Sequence, residues 1–299
     1  MEHQLKNIEK CPVCGGESQH DFIEAEDHNV SNDRFKIVEC VACSFRFTNP
    51  IPTEETIGDY YKSENYVSHS GTKKGFVNRV YHIVRSRAIK QKANLAAKYS
   101  KEKTILDIGC GTGDFLGYCK SQNWKTLGLE PDASARKIAL QNNGIEAKNL
   151  SQLYEIKEDT FDVISMWHVL EHVYNLNEDI EQYKKILKDE GALIVAVPNC
   201  SSKDAAHYKA SWAAYDLPIH LYHFRPDNMI QLFCKHGMEV VEILPMKFDS
   251  YYISMVSEKY KGGNILSGFI NGFKSNIAAN SKNNKYSSQI YVIKHKKSS

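Results

Sequence analysis

The sequence predicts an α/β fold, a doubly wound and mostly parallel sheet, with a small four-cysteine module ahead of it. Three observations carry this. From Lys103 onward, short apolar runs at 104–108, 126–130, 162–166 and 192–197 alternate with helical patterns at 114–122, 133–142, 176–188 and 226–236. Such alternation favours parallel strands, because each crossover helix covers a sheet face. The first of those runs leads into TILDIGCGTGDF (104–115), where Gly109, Gly111 and Gly113 alternate before a helix. Two Cys-x-x-Cys pairs, Cys11/Cys14 and Cys40/Cys43, precede the whole region.

Composition sets the bounds. The chain has 299 residues, enough for one or two domains with a sizeable core. A net charge of +2 argues against a dedicated nucleic-acid partner. No run of 18 apolar residues exists, so no membrane partner is expected, and the polar start MEHQLKNIEK is unlike the apolar core of a signal peptide. The expected location is the cytoplasm. Cys110, Cys119, Cys200 and Cys234 are scattered and read as small core residues of a reducing compartment.

Residues 1–50 are expected to form the cysteine module. Two Cys-x-x-Cys knuckles can offer four thiolates to one tetrahedral zinc. Between them RFKIVE (34–39) alternates like a strand, so the segment resembles a zinc ribbon. Four thiolates leave no open coordination position, which makes such a zinc structural. Four unliganded cysteines remain the alternative. NPIPTEE (49–55) marks the boundary, with Thr53 as a helix N-cap. Residues 51–100 then read as a helical linker and lid. Tyr60, Tyr61, Tyr66 and His69 suit either a surface loop or a lid, and the basic residues of Phe76–Ser100 read as a solvated helix face.

Residues 101–299 form the expected cofactor domain. The strand-like runs 238–244 and 289–296 are expected to pair at the sheet edge. The stretch between them, 246–288, is rich in Ser, Asn, Gly and Lys and reads as a mobile surface excursion around one amphipathic stretch, 251–260.

The glycine turn selects the ligand. A dinucleotide fingerprint needs glycine at the sixth position, where Asp114 stands, and no Gly-Lys-Ser/Thr follows for a phosphate loop. Glu130 ends the next strand, where a carboxylate can accept both ribose hydroxyls of an adenosine.

On DIGCGTG, Glu130, FDVISMWHVLEHV (161–173) and ALIVAVPN (192–199), the sequence resembles the class I S-adenosylmethionine-dependent methyltransferases. That resemblance implies a seven-stranded Rossmann-like sheet with its last strand antiparallel, and S-adenosylmethionine lying across the carboxyl ends of the strands. It implies that Asp107, Gly109, Gly111 and Gly113 meet the methionine part and that Glu130 takes the ribose. Asn149 and Leu150 would flank the adenine, and Trp167 and His168 would face the sulfonium. Tyr61, Tyr66 and His69 would close over it. Residues 161–224 are similar to small-molecule methyltransferases, including quinone- and sugar-modifying ones.

DLPIHLYHF (216–224) offers Asp216, His220, Tyr222 and His223 at the active end of such a sheet. Histidine is the natural base near neutral pH, so His220, His223 and His168 are the catalytic candidates. Structural roles for them, and for Glu171 bracing its turn, stay open. The leading expectation is methylation of a small-molecule acceptor such as a sugar, glycan precursor or secondary metabolite. The alternatives are an RNA base methyltransferase with a zinc-ribbon substrate module and a non-catalytic ligand-binding protein. Met166-Trp167-His168 stands where exocyclic-amine methyltransferases carry Asn/Asp-Pro-Pro-aromatic.

Overall fold

A computed structural model describes residues 4–61, 76–281 and 285–297, with backbone only for 76–84. Tyr66 and His69 lie outside the described residues.

The module contributes β1 (Leu5–Lys6), β2 (Gln19–Glu26), β3 (Arg34–Cys40) and β4 (Arg46–Thr48), and β5 (Ile51–Pro52) follows just past its expected boundary and pairs back with β1. After it come α1 (Phe76–Ala97), β6 (Thr104–Ile108), α2 (Asp114–Ser121), β7 (Lys125–Leu129), α3 (Ala133–Asn143), β8 (Phe161–Trp167), α4 (Leu176–Ile186) and β9 (Leu187–Pro198). The chain ends with α5 (Lys203–Tyr208), β10 (Tyr222–His223), α6 (Pro226–Lys235), β11 (Met238–Pro245), α7 (Asp249–Tyr260), α8 (Ile265–Ser281) and β12 (Ser288–His295).

The main sheet has the order β11-β12-β9-β8-β6-β7. Strands β7, β6, β8 and β9 are parallel, and β12 is antiparallel to both neighbours, as expected. Successive strand residues point to opposite faces, and both faces are covered. Ile105, Val163 and Ile194 pack with α1, α2 and α3. Leu106, Ile164 and Leu193 pack with α4, α6 and the module. Six strands, not seven, form the sheet among the described residues. Beyond β7 the chain makes only an isolated parallel bridge, Leu129 to Lys148. Gly144 closes α3 in a left-handed cap and Asn149 caps the next 3-10 turn, and the four residues between them make only that one bridge.

The 246–288 stretch is not a loose excursion. It forms α7 and α8, packed on each other. A Cβ at Gly268 would stand 2.5 Å from Met255 Cα, and one at Gly272 would stand 2.7 Å from Ser250 O. The glycines that suggested a loop are the residues that let two helices touch.

The module is joined to the sheet domain by a shared strand. β4 pairs with β10, opposite Phe47 and Tyr222, giving a second sheet of order β10-β4-β3-β2. Phe45 packs with Tyr222 and Phe224 at 6.0 and 5.5 Å. Among the described residues no helix is long and apolar enough to cross a membrane.

Candidate active site

The site opens at the carboxyl end of β6. Asp107 is buried and accepts from Ser165 Oγ of β8 at 2.6 Å. Burial pushes its carboxyl up to about 7, against the pull of Ser165 and the nearby Lys92. Burial also lowers the Lys92 ammonium, which sits 4.2 Å from the centre of the Trp167 ring. Arg85 pairs with Asp114 at 2.6 Å. Lys92 therefore leaves the solvated face assigned to it, while Arg85 stays partly exposed and pairs at the helix start beyond the glycine turn.

Gly109, Gly111 and Gly113 all have positive φ. The outer two are packed: a Cβ at Gly109 would meet Val169 Cγ2 at 2.5 Å. Gly111 differs, because nothing lies within 4 Å of its Cβ direction. The backbone there faces open space that a ligand can enter. Gly111 N–H donates to Glu130 Oε2 and Asp132 N–H to Oε1, both at 2.9 Å. Two amides thus fix the plane of the Glu130 carboxylate, while burial raises its pKa. Asn149 is exposed and spends its side chain on Ser151 N–H, and Leu150 packs partly into the core. Trp167 lies edge-on to Phe115, and its buried Nε1–H has no partner among the described residues.

The acceptor side begins one residue later. His168 takes a φ of +60°, which turns its ring back toward two carboxylates. Nε2 lies 3.0 Å from Asp249 Oδ2 of α7, and Nδ1 lies 3.4 Å from Glu171 Oε1. Burial opposes its charge, but Asp249 and Glu171 outweigh that and hold the imidazole up at about 10. His168 is therefore a fixed cation at neutral pH.

Glu171 is fully buried, and neither carboxylate oxygen has a hydrogen-bond partner among the described residues. Its surroundings are imidazoles. His172 donates from Nδ1 to Ile219 O at 2.9 Å, with Tyr61 OH 3.1 Å from the same nitrogen. His220 donates from Nδ1 to Ala214 O at 2.9 Å. Each carbonyl partner fixes the tautomer and leaves Nε2 as the basic nitrogen. Burial lowers both, His172 to about 4, so they are neutral. One donor atom from each of Glu171, His172 and His220 lies within 4.8 Å of the others, a set that could also hold a divalent ion. Asp216, raised to about 6 by burial, approaches His220 Nε2 at 3.9 Å and accepts from Asn29 of the module at 2.7 Å.

His223 is drawn elsewhere. It packs edge-on to Tyr215 and bonds Thr48 Oγ1 through Nε2, while the Thr48 hydroxyl donates to His220 O. Tyr222 is buried among aromatic residues. Sequence reasoning missed Asp249, Lys92, Arg85 and Asn29. Asp249 stands just ahead of the amphipathic 251–260 stretch, where no sequence signal marks it.

The cysteine cluster lies apart. Cys11–Cys43 and Cys14–Cys40 Sγ atoms are each 3.6 Å apart, and all four fall within 4.8 Å of one another. Four sulfurs at about 2.3 Å from one tetrahedral ion would be about 3.8 Å apart, so the donor set fits a metal.

Residues 80–243 match the family described as "Methyltransferase domain". The ubiquinone biosynthesis O-methyltransferase of Rickettsia typhi is 24% identical over 186 residues, covering 58% of this chain and 75% of that protein. N-methyltransferase 4 of Papaver somniferum is 27% identical over 124 residues, covering 38% of this chain and 35% of that one. The magnesium protoporphyrin IX methyltransferase of Synechocystis PCC 6803 shares the fold at a TM-score of 0.53 and 12% identity, over 81% of this chain and 100% of that one. With the glycine turn, Glu130 and this match across more than half its length, the chain belongs to the methyltransferase-domain family and is an S-adenosylmethionine-dependent methyltransferase.

Proposed function

We propose that the chain methylates a small molecule at a nucleophile deprotonated by His220. The observation that carries this is the pair of neutral imidazoles, His172 and His220, each pinned through Nδ1 to a carbonyl, beside an anionic Glu171. A base needs a free lone pair and a pKa below or near ambient pH, and Nε2 of His220 has both. Ala214 O orients the ring, and Glu171, with Asp216 at 3.9 Å from Nε2, offsets the charge when His220 takes the proton. His168 is already protonated, so it acts as a positioning residue that holds Glu171 and Asp249.

The open backbone at Gly111, the amide-fixed Glu130 carboxylate and the orphaned Trp167 Nε1–H fit S-adenosylmethionine. Asp107 and the glycine turn would hold its methionine part, Glu130 its ribose, Asn149 and Leu150 its adenine, and Trp167 and His168 would face the sulfonium. When bound it supplies an electrophilic methyl group. The protein's own work is to align the acceptor and exclude water, to which Tyr61 contributes from the acceptor side.

Residues 1–50 serve in this reading as a zinc-ribbon-like brace, with a structural zinc on Cys11, Cys14, Cys40 and Cys43. About one zinc per chain is expected by metal analysis; stably folded, metal-free protein argues for bare thiols. Labelled methyl donor with cell extract tests the function. Label in the low-mass fraction supports a small acceptor; label confined to RNA or protein refutes it.

A further inference from the structure

Helix α8 is built inside out. Its small residues Gly268, Gly272, Ser275 and Ala279 are buried, the glycines against the α7 backbone and Ser275 donating to Asp204 Oδ1 at 2.7 Å. Its large apolar residues face outward. Ile265 and Leu266 are 73% and 68% exposed, Phe269, Phe273 and Ile277 are each more than half exposed, and Ile270 follows at 43%. At 3.6 residues per turn these six occupy one arc of about 140°. A helix on a water-facing surface turns its apolar arc toward the core, and a contiguous exposed arc marks a face that meets something else.

The surrounding sequence says what. From 259 to 285 the chain carries Lys259, Lys261, Lys274, Lys282 and Lys285 and no Asp or Glu. We propose that α8 docks on an anionic bilayer surface. It lies in the interface plane with its apolar arc at the acyl boundary and Lys259, Lys261, Lys274 and Lys285 toward lipid phosphates. Charge selects lipid over a second copy of this chain. Self-pairing of α8 would bring two lysine sets together with no carboxylate between them, whereas anionic headgroups neutralise them. The helix is about 25 Å long and carries Lys274 in its middle, which suits lying on a bilayer and not crossing one. The absence of a spanning helix among the described residues is consistent with a contact of this kind.

Flotation of the full chain with vesicles tests this, using phosphatidylcholine alone and phosphatidylcholine mixed with phosphatidylglycerol. Wild type is expected to float with the mixed vesicles only and to be released by raised salt. Phe269→Ser/Phe273→Ser and, separately, Lys261→Glu/Lys274→Glu should each weaken binding about tenfold or more. Should the double serine variant lose its circular dichroism, Ile265→Ser at the exposed helix start and the lysine pair carry the test. Wild type that binds neither vesicle, or binding that survives all these variants, overturns the proposal. So does a wild-type dimer that Phe269→Ser/Phe273→Ser converts to monomer, which would assign the face to a second copy.

Discussion

At the proposed donor end, Asp107, the glycine turn and Glu130 come from one β6-α2-β7 unit. At the proposed acceptor end, Tyr61, His168, Glu171, His172, Asp216, His220 and Asp249 come from four separate stretches, with Asn29 and Thr48 holding them from the module. The donor end is positioned by backbone: amides fix Glu130, and positive φ shapes the turn. The acceptor end is positioned by side chains, with imidazoles set by carbonyls and carboxylates. Backbone geometry tolerates many side chains nearby, while a side-chain cluster changes with each member.

Variants at the two ends should separate. His220→Asn is expected to lower kcat by about 10²–10⁴ while leaving affinity for S-adenosylhomocysteine within about twofold. Parallel losses in kinetics and calorimetry would show that the ends are not independent. Glu130→Ala should weaken S-adenosylhomocysteine binding by about 10–100-fold, the worth of hydrogen bonds to a carboxylate. Unchanged calorimetric affinity would remove the ribose role.

Asp249→Asn gives the smallest and most pH-dependent effect. The folded His168 pKa is raised, so its contribution to stability is complete below its unfolded value of about 6.5 and is lost as pH rises toward about 10. The melting-temperature gap between wild type and Asp249→Asn should therefore be widest at and just below about pH 6.5 and close by about pH 10. A gap constant with pH would mean that Asp249 acts through packing alone.

Legibility followed the same division. The strand, glycine turn and Glu130 are local in sequence, so the donor end could be read from spacing. The two cysteine pairs were legible for the same reason. Asp249 was not, because its partner His168 lies across a fold and the Ser/Asn/Gly composition around it signalled a loop. Those glycines report helix contact, which a single sequence does not distinguish from turn formation. Arg85 and Lys92 were hidden by charge: bases that pair with the site look, on a basic helix, like the rest of its surface. Among the described residues the seventh strand is reduced to a single bridge at Lys148, between two caps that the strand-helix alternation does not reveal.

The shared strand between module and sheet domain also orders assembly. Thr48 and His220, which it brings into contact, are 172 residues apart in the chain. Contacts that distant close late, because the intervening loop entropy must be offset by other structure first. On the ribosome, the first strands of the module can form a hairpin early, but their sheet keeps an unpaired edge at β4 until residues 222–223 emerge. The residues that Thr48 and Asn29 hold are therefore set in place only once both halves of the chain have been made.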